Sequence, residues 1–317
     1  SLPQMLVYRF LVWVLRLLLG LFYARIQVKG LENIPAHKPV VFCGNHSNGI
    51  IDPVVIATTC NRHLSFVAKE PLFRMPVIGS LLRAVHGIPV VRRQDVKNRD
   101  ANANTGALDA MATALSRGGA LMIFPEGISH DESQTLMLHT GFARAAITSF
   151  QKSAGYDEVH VIPVGLNFLH KGTFRSDVFV EYGKPLVVFR DEVELISSEE
   201  ESRVFCGRLR DELGDALKEV VPQGSSWTYV QMMTLARDLY SEDVVEDSPE
   251  LYVVSLQKFL RCYQQASEAN DEALQAVEAE LKSYAAYLDL IQLTDMDVRV
   301  SSSKGGRTIT FFRALWS

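Results

Sequence analysis

A histidine followed six positions later by an aspartate, in Gly44-Asn45-His46-Ser-Asn-Gly-Ile-Ile-Asp52-Pro53, is the first point where this sequence carries the makings of a reaction. Imidazole can accept a proton near neutral pH, and a carboxylate behind it fixes the tautomer and stabilises the imidazolium. The pair suits removal of a proton from a hydroxyl that then attacks an activated acyl group, a step that needs no protein nucleophile. The bland alternative is a helix start, with Asp52 as N-cap and Pro53 as the first helical residue. The two readings coexist, because a cap residue at a helix mouth can still face a histidine.

Three further segments have the composition of binding loops. Gly87-Ile-Pro-Val-Val-Arg92-Arg93 ends in two arginines, whose planar guanidinium groups suit a phosphate. A solvated strand end is the alternative there, and Lys69, Arg74, Lys97 and Arg99 would add to a local positive field. Phe124-Pro-Glu126-Gly127-Ile-Ser129-His130 places a glutamate and a glycine where side chain and backbone could hold acceptor hydroxyls, or else forms an ordinary turn. Val161-Ile-Pro163-Val-Gly-Leu-Asn167 reads as a strand lining the site or as an edge strand, where proline is tolerated. Other chemistries fit poorly. The chain has no G-x-S-x-G elbow, no H-E-x-x-H, no Walker or dinucleotide glycine motif and no C-x-x-C pair among its four cysteines. A net charge of −5 argues against nucleic acid as partner, so any anionic ligand needs a local basic cluster.

The elements that must position these residues alternate. Apolar, β-branched runs at Val40–Cys43, Ser65–Ala68, Ile88–Val91, Ala120–Phe124, His160–Leu166 and Val178–Tyr182 are separated by helical patterns such as Asn104–Ser116. This predicts an α/β fold, a mixed sheet flanked by helices, and each binding segment follows or forms a strand of it. Helical periodicity takes over afterwards at Ser202–Val221, Trp227–Tyr240, Leu251–Ala266 and Glu272–Leu290, with an acidic loop at Ser241–Glu250. The expected division is a membrane-associated helix over 1–29, a catalytic domain over 30–190 and a helical region over 191–317.

Met5–Tyr23 is almost continuously apolar and about long enough to span a bilayer. Arg9 and Arg16, seven residues apart, share one helical face. An in-plane helix would let both reach lipid headgroups while Trp13 and the leucines enter the acyl boundary; a spanning helix and a buried core helix are the alternatives. The chain begins at Ser1 without methionine and stops inside an apolar stretch ending Leu-Trp-Ser317, so a fragment or a processed chain is expected.

Taken in order, the four segments resemble the glycerolipid acyltransferases, the family of glycerol-3-phosphate and lysophosphatidate acyltransferases. That family carries an N-H-x4-D block, a Gly/Pro/Arg block, F-P-E-G-x-S and a V-P-V/I block, matched here by Asn45-His46 with Asp52, Gly87 to Arg92, Phe124 to Ser129 and Val161 to Val164. Five residues rather than four separate His46 from Asp52, as in the fungal-type glycerol-3-phosphate/dihydroxyacetone-phosphate branch. Gly165-Leu-Asn-Phe, Phe174-Arg-Ser, Val180-Glu-Tyr-Gly-Lys-Pro185 and Ala236-Arg-Asp-Leu-Tyr240 extend the likeness to that branch, whose members carry further membrane segments beyond this point.

The resemblance implies that His46 is the general base and Asp52 its orienting partner. Arg92, or Arg93 if the block aligns one residue later, would bind the acceptor's phosphate. Glu126 and Gly127 would hold the acceptor, with Ser129 in support. It implies transfer of a fatty acyl group from acyl-CoA, a co-substrate rather than a bound cofactor, to the sn-1 hydroxyl of glycerol 3-phosphate or dihydroxyacetone phosphate. No metal is expected. The expected partners are acyl-CoA, a phosphorylated three-carbon acceptor and membrane lipid. The expected location is the endoplasmic reticulum membrane, or a peroxisome-like organelle for the ketone acceptor. The rival readings are a lysophosphatidate acyltransferase and a non-catalytic lipid-binding scaffold.

Overall fold

A computed structural model of the chain describes residues 2–91, 104–153, 155–240, 248–269 and 272–293, together with Asp295 and Val298. Arg92, Arg93, Lys97, Arg99, residues 241–247 of the acidic loop and the apolar stretch at 308–317 lie outside the described residues.

The chain folds into two compact units, one built from residues 1–131 and 135–221, the other from 132–134 and 222–317. In chain order the first unit contains α1 (Leu2–Phe22), β1 (Arg25–Lys29), β2 (Val40–Gly44), α2 (Ile51–Thr59), β3 (Leu64–Lys69), α3 (Glu70–Phe73), α4 (Pro76–Ala84) and β4 (Ile88–Val90). It continues with α5 (Thr105–Ser116), β5 (Ala120–Ile123), α6 (Gly141–Lys152), β6 (Glu158–Phe168), β7 (Asp177–Tyr182), β8 (Leu186–Phe189), α7 (Arg190–Glu194) and α8 (Glu199–Val220). The eight strands form one mixed sheet in the order β1-β7-β6-β2-β5-β3-β4, with β8 pairing to β6. Strands β2, β5, β3 and β4 run parallel, as do β6 beside β2 and β1 beside β7; β7 and β8 run antiparallel to β6.

The central strands are apolar throughout because helices cover both faces. Side chains alternate between two clusters, as the strand period of two requires. Val41, Cys43, Leu121, Ile123 and Val161 pack with α5, α6 and α8. Val40, Phe42, Met122, Ile162 and Val164 pack with α2 and with Leu19 and Tyr23 at the end of α1. Strand β6 is not the edge strand that a proline would suggest. Pro163 falls where the strand's antiparallel partner changes from β8, paired up to Val161, to β7, paired from Val164, so no ladder bond is lost there.

The sheet-bearing unit runs past residue 190, to Val221. Leu209, Leu213, Leu217 and Val220 of α8 lie in the first cluster. Asn167 Nδ2 donates to the Val220 carbonyl at 3.0 Å. A Cβ at Gly165 would stand 2.1 Å from that carbonyl, so the close approach of strand and helix end requires glycine. Helix α8 begins earlier than its apolar pattern, at a capping box: Ser198 Oγ accepts from the Glu201 amide and the Glu201 carboxylate accepts from the Ser198 amide. Leu213 is fully buried. Leu213→Ala should therefore lower unfolding stability by about 2–5 kcal/mol, read as a shifted denaturant midpoint.

The second unit contains α9 (Trp227–Tyr240), α10 (Pro249–Glu268) and α11 (Glu272–Leu290) around Val230, Met233, Leu256, Leu260 and Leu281. Arg237 is buried there. Its guanidinium lies 4.1 Å from the Tyr252 ring centre and bonds Ser255 and Asp238.

Helix α1 is not a buried core helix: only 11% of Met5–Phe22, the stretch long and apolar enough to cross a membrane, is buried. One stripe docks on the first unit. Tyr8 Oη donates to the Arg62 carbonyl and accepts from the Leu64 amide, both at 3.3 Å. Arg16 Nε donates to the Thr58 carbonyl at 2.8 Å. Leu6, Phe10, Trp13, Leu17 and Leu21 form an exposed apolar stripe on the other side.

Candidate active site

Strand β2 delivers Gly44 to the carboxyl end of the sheet, and the chain then turns away through Asn45 and His46. Asn45 ends the ladder to β6 with its side chain. Its amide group donates to the Leu166 carbonyl at 3.1 Å and accepts from the Leu166 amide at 2.8 Å. The direction of the next residue, His46, is thereby fixed.

His46 Nδ1 lies 2.9 Å from Asp52 Oδ2, and the same oxygen accepts from the Asn48 amide at 2.8 Å. The additional residue between them is absorbed by the loop, where Gly49 takes a left-handed φ of 55°. Asp52 is fully buried, one residue inside α2, and caps nothing: the N-cap position is Ile50. Its carboxylate therefore belongs to the histidine and to the loop amide, which replaces the helix-cap reading. With Nδ1 donating to Asp52, Nε2 keeps its lone pair and can act as a base. The ring stacks on Phe124, centres 4.0 Å apart and planes 11° off parallel, and keeps 20% of its side chain exposed.

The segment after β5 lies against this loop. Gly127 has a φ of 75°, which favours glycine, and its amide donates to the Phe124 carbonyl. Ser129 Oγ accepts from the Gly49 amide at 3.2 Å. The Glu126 carboxylate, expected to face an acceptor, is instead fully buried and turned onto protein donors. Oε1 accepts from the His46 amide at 3.2 Å, and Oε2 accepts from the Leu136 amide at 2.8 Å and from His130 Nε2. Thus His46, Asp52, Glu126, Gly127 and Ser129 are brought together, while Arg92 and Arg93 fall outside the described residues just after β4. Of the other basic residues, Lys69 ends β3 and Arg74 pairs with Glu70 at 2.6 Å.

Three contributors carried no sequence signal of a role. Asn48 Nδ2 donates to Tyr23 Oη at 3.4 Å, tying the residue after α1 to the dyad loop; burial, with Asp52 nearby, raises the Tyr23 pKa. His139 packs its ring on Gly127, so that a Cβ there would fall 3.1 Å from it. His130 stood in the motif with no function attached. A cavity of about 770 Å³ lies elsewhere, at the amino-terminal ends of β3, β4 and β5 beside His63, His86 and Gly119, and none of the dyad residues lines it.

Residues 25–167, which contain His46, Asp52, Glu126, Gly127 and Ser129, match the family model described as Acyltransferase. This segment belongs to the acyltransferase family. Over nearly the whole chain (99%), it is similar to glycerol-3-phosphate O-acyltransferase 1 of Saccharomyces cerevisiae, at 22% identity, covering 52% of that protein. It is also similar to a 1-acyl-sn-glycerol-3-phosphate acyltransferase of Borreliella burgdorferi, at 31% identity over 123 residues, 39% of this chain and 46% of that one. The solved structure of the 1-acyl-sn-glycerophosphate acyltransferase PlsC from Thermotoga maritima aligns with a TM-score of 0.47 and 21% identity, over 68% of this chain and 81% of that one. The chain spans about half the length of these curated relatives. The 2.9 Å contact between His46 and Asp52 lies inside the matched segment.

Proposed function

We propose that the chain transfers a fatty acyl group from acyl-CoA to the sn-1 hydroxyl of glycerol 3-phosphate or dihydroxyacetone phosphate. The observation that carries this reading is the His46–Asp52 contact in a segment of the acyltransferase family. His46 Nε2 removes the hydroxyl proton, the oxygen attacks the thioester carbonyl, and the imidazolium returns the proton to the departing thiolate. Asp52 holds Nδ1–H through the cycle. Gly127 and Ser129 border the place for the acceptor, Glu126 holds their loop, and Arg92 or Arg93 takes the phosphate. Acyl-CoA is consumed as co-substrate, with no metal in the scheme.

Likeness to a glycerol-3-phosphate enzyme along nearly the whole chain, against 39% for a 1-acyl-sn-glycerol-3-phosphate enzyme, favours the acceptor without an acyl chain. The apolar stripe of α1 attaches the protein to a membrane, with Arg9 and Arg16 at the flank between that stripe and the docked side. The endoplasmic reticulum suits either acceptor, and a peroxisome-like organelle suits the ketone.

An acceptor panel with one labelled acyl-CoA tests the assignment. Glycerol 3-phosphate or dihydroxyacetone phosphate should be acylated in preference to lysophosphatidate. The opposite preference, or tight acyl-CoA binding without turnover, overturns it. In the same assay Arg92→Ala should lower kcat/KM for the phosphorylated acceptor roughly ten- to a hundredfold while sparing acyl-CoA, the expected loss of a charged hydrogen bond of about 1.5–3 kcal/mol. Arg92→Lys should recover part of it. A large effect at Arg93→Ala instead moves the clamp by one residue, and no effect at either directs the search to Arg144 and Arg175.

A further inference from the structure

The backbone of His46 is held on both sides by one loop. Its N–H donates to Glu126 Oε1 at 3.2 Å, and its carbonyl accepts from the His130 amide at 3.0 Å. Glu126 can hold the His46 amide only while its own carboxylate is oriented. A glutamate's terminal torsion is broad and nearly free by itself. Here two donors fix it at Oε2, the Leu136 amide at 2.8 Å and the ring Nε2 of His130. The carboxylate is fully buried, and the His130 side chain is 13% exposed. His130 therefore reaches the dyad twice, directly through its own amide and indirectly through its ring and Glu126. A reacting base must be kept within a fraction of an ångström of its working place, and that precision comes from groups behind it.

We propose that His130 is a positioning residue for acyl transfer, acting through Glu126 on the backbone of His46. The inference rests on the acyltransferase reading of the site. Its ring nitrogen needs only to donate a hydrogen bond, so an amide of similar reach can replace it.

The test uses the full chain in lipid and compares wild type with His130→Ala, His130→Gln, His46→Ala and the double variant His46→Ala/His130→Ala. Single-turnover rate, KM for each substrate and hydrogen exchange of the His46 and Leu136 amides are measured. His130→Ala should lower the chemical rate about ten- to a hundredfold, the usual range for a lost charged hydrogen bond, with KM for acyl-CoA within about twofold of wild type. His130→Gln should recover most of the rate. Adding His130→Ala to His46→Ala should lower the rate no further, because groups that act as a unit are not additive. The two amides should exchange faster in His130→Ala and return to wild-type protection in His130→Gln. Should His130→Ala fail to fold, His130→Asn, whose shorter amide cannot reach Glu126, takes its place. Wild-type rates in His130→Ala, or a His130→Gln variant as impaired as alanine, overturn the proposal. So do losses that multiply in the double variant, which would put His130 on the substrate itself. If the wild type transfers no acyl group, the assigned activity fails, and the amide exchange still decides whether His130 holds His46.

Discussion

His46→Ala should lower turnover at least about a hundredfold, the contribution of a positioned general base. The ring makes one directed bond to the protein, to Asp52, and stacks on Phe124. Its backbone bonds to Glu126 and His130 survive the substitution. Folding and acyl-CoA binding should therefore be nearly intact, and the loss should appear in kcat rather than in either KM. Single-turnover assays beside an unfolding curve separate the two effects. Near-normal turnover in a folded variant would remove His46 from the chemistry.

Asp52→Asn should be nearly as damaging, for a different reason. The amide can present a nitrogen where Oδ2 now accepts, and His46 Nδ1 and the Asn48 amide, 2.9 and 2.8 Å away, are both donors in the working arrangement. With the nitrogen there the Asn48 amide loses its acceptor, and His46 either loses its own or changes tautomer, leaving a hydrogen on Nε2 where a lone pair is needed. The same exchange in a Ser-His-Asp triad lowers turnover by about ten-thousandfold, and a loss between about a hundredfold and that value is expected. Asp52 is wholly buried and is not a helix cap, so the variant should also unfold more easily, by roughly 1–3 kcal/mol for a buried group left unpaired. A variant with full activity and lowered stability would make Asp52 merely structural.

Much of this was legible in the chain. Short, continuous apolar runs mark β2, β5 and β6, and a period near 3.6 marks α9 to α11, because each must bury one side or both to persist. The motif blocks singled out His46, Asp52, Glu126, Gly127 and Ser129, which the fold brings together. Strands β1 and β8 were not legible: each is short, and their pairing to β7 and β6 depends on residues about 30 to 150 positions away. The start of α8 was written as Ser198-x-x-Glu201, but its membership of the sheet unit depends on Gly165 and Asn167 meeting Val220.

The sequence alone determined which groups are available for chemistry: a histidine and a glycine-bearing loop that each follow a strand, and a carboxylate six residues after the histidine. Only the tertiary structure decided what each group faces. Five intervening residues left the His46–Asp52 contact open until the loop, turning at Gly49, brought the two to 2.9 Å. Glu126 belongs to the acceptor block by motif, yet in the fold its carboxylate points inward to the amides of His46 and Leu136 and to His130. The physical reason is that local periodicity sets only the side of an element on which a residue emerges. Its partner comes from another element, His46 and Leu136 standing eighty residues before Glu126 and ten after it, and sheet order and loop path alone bring them together.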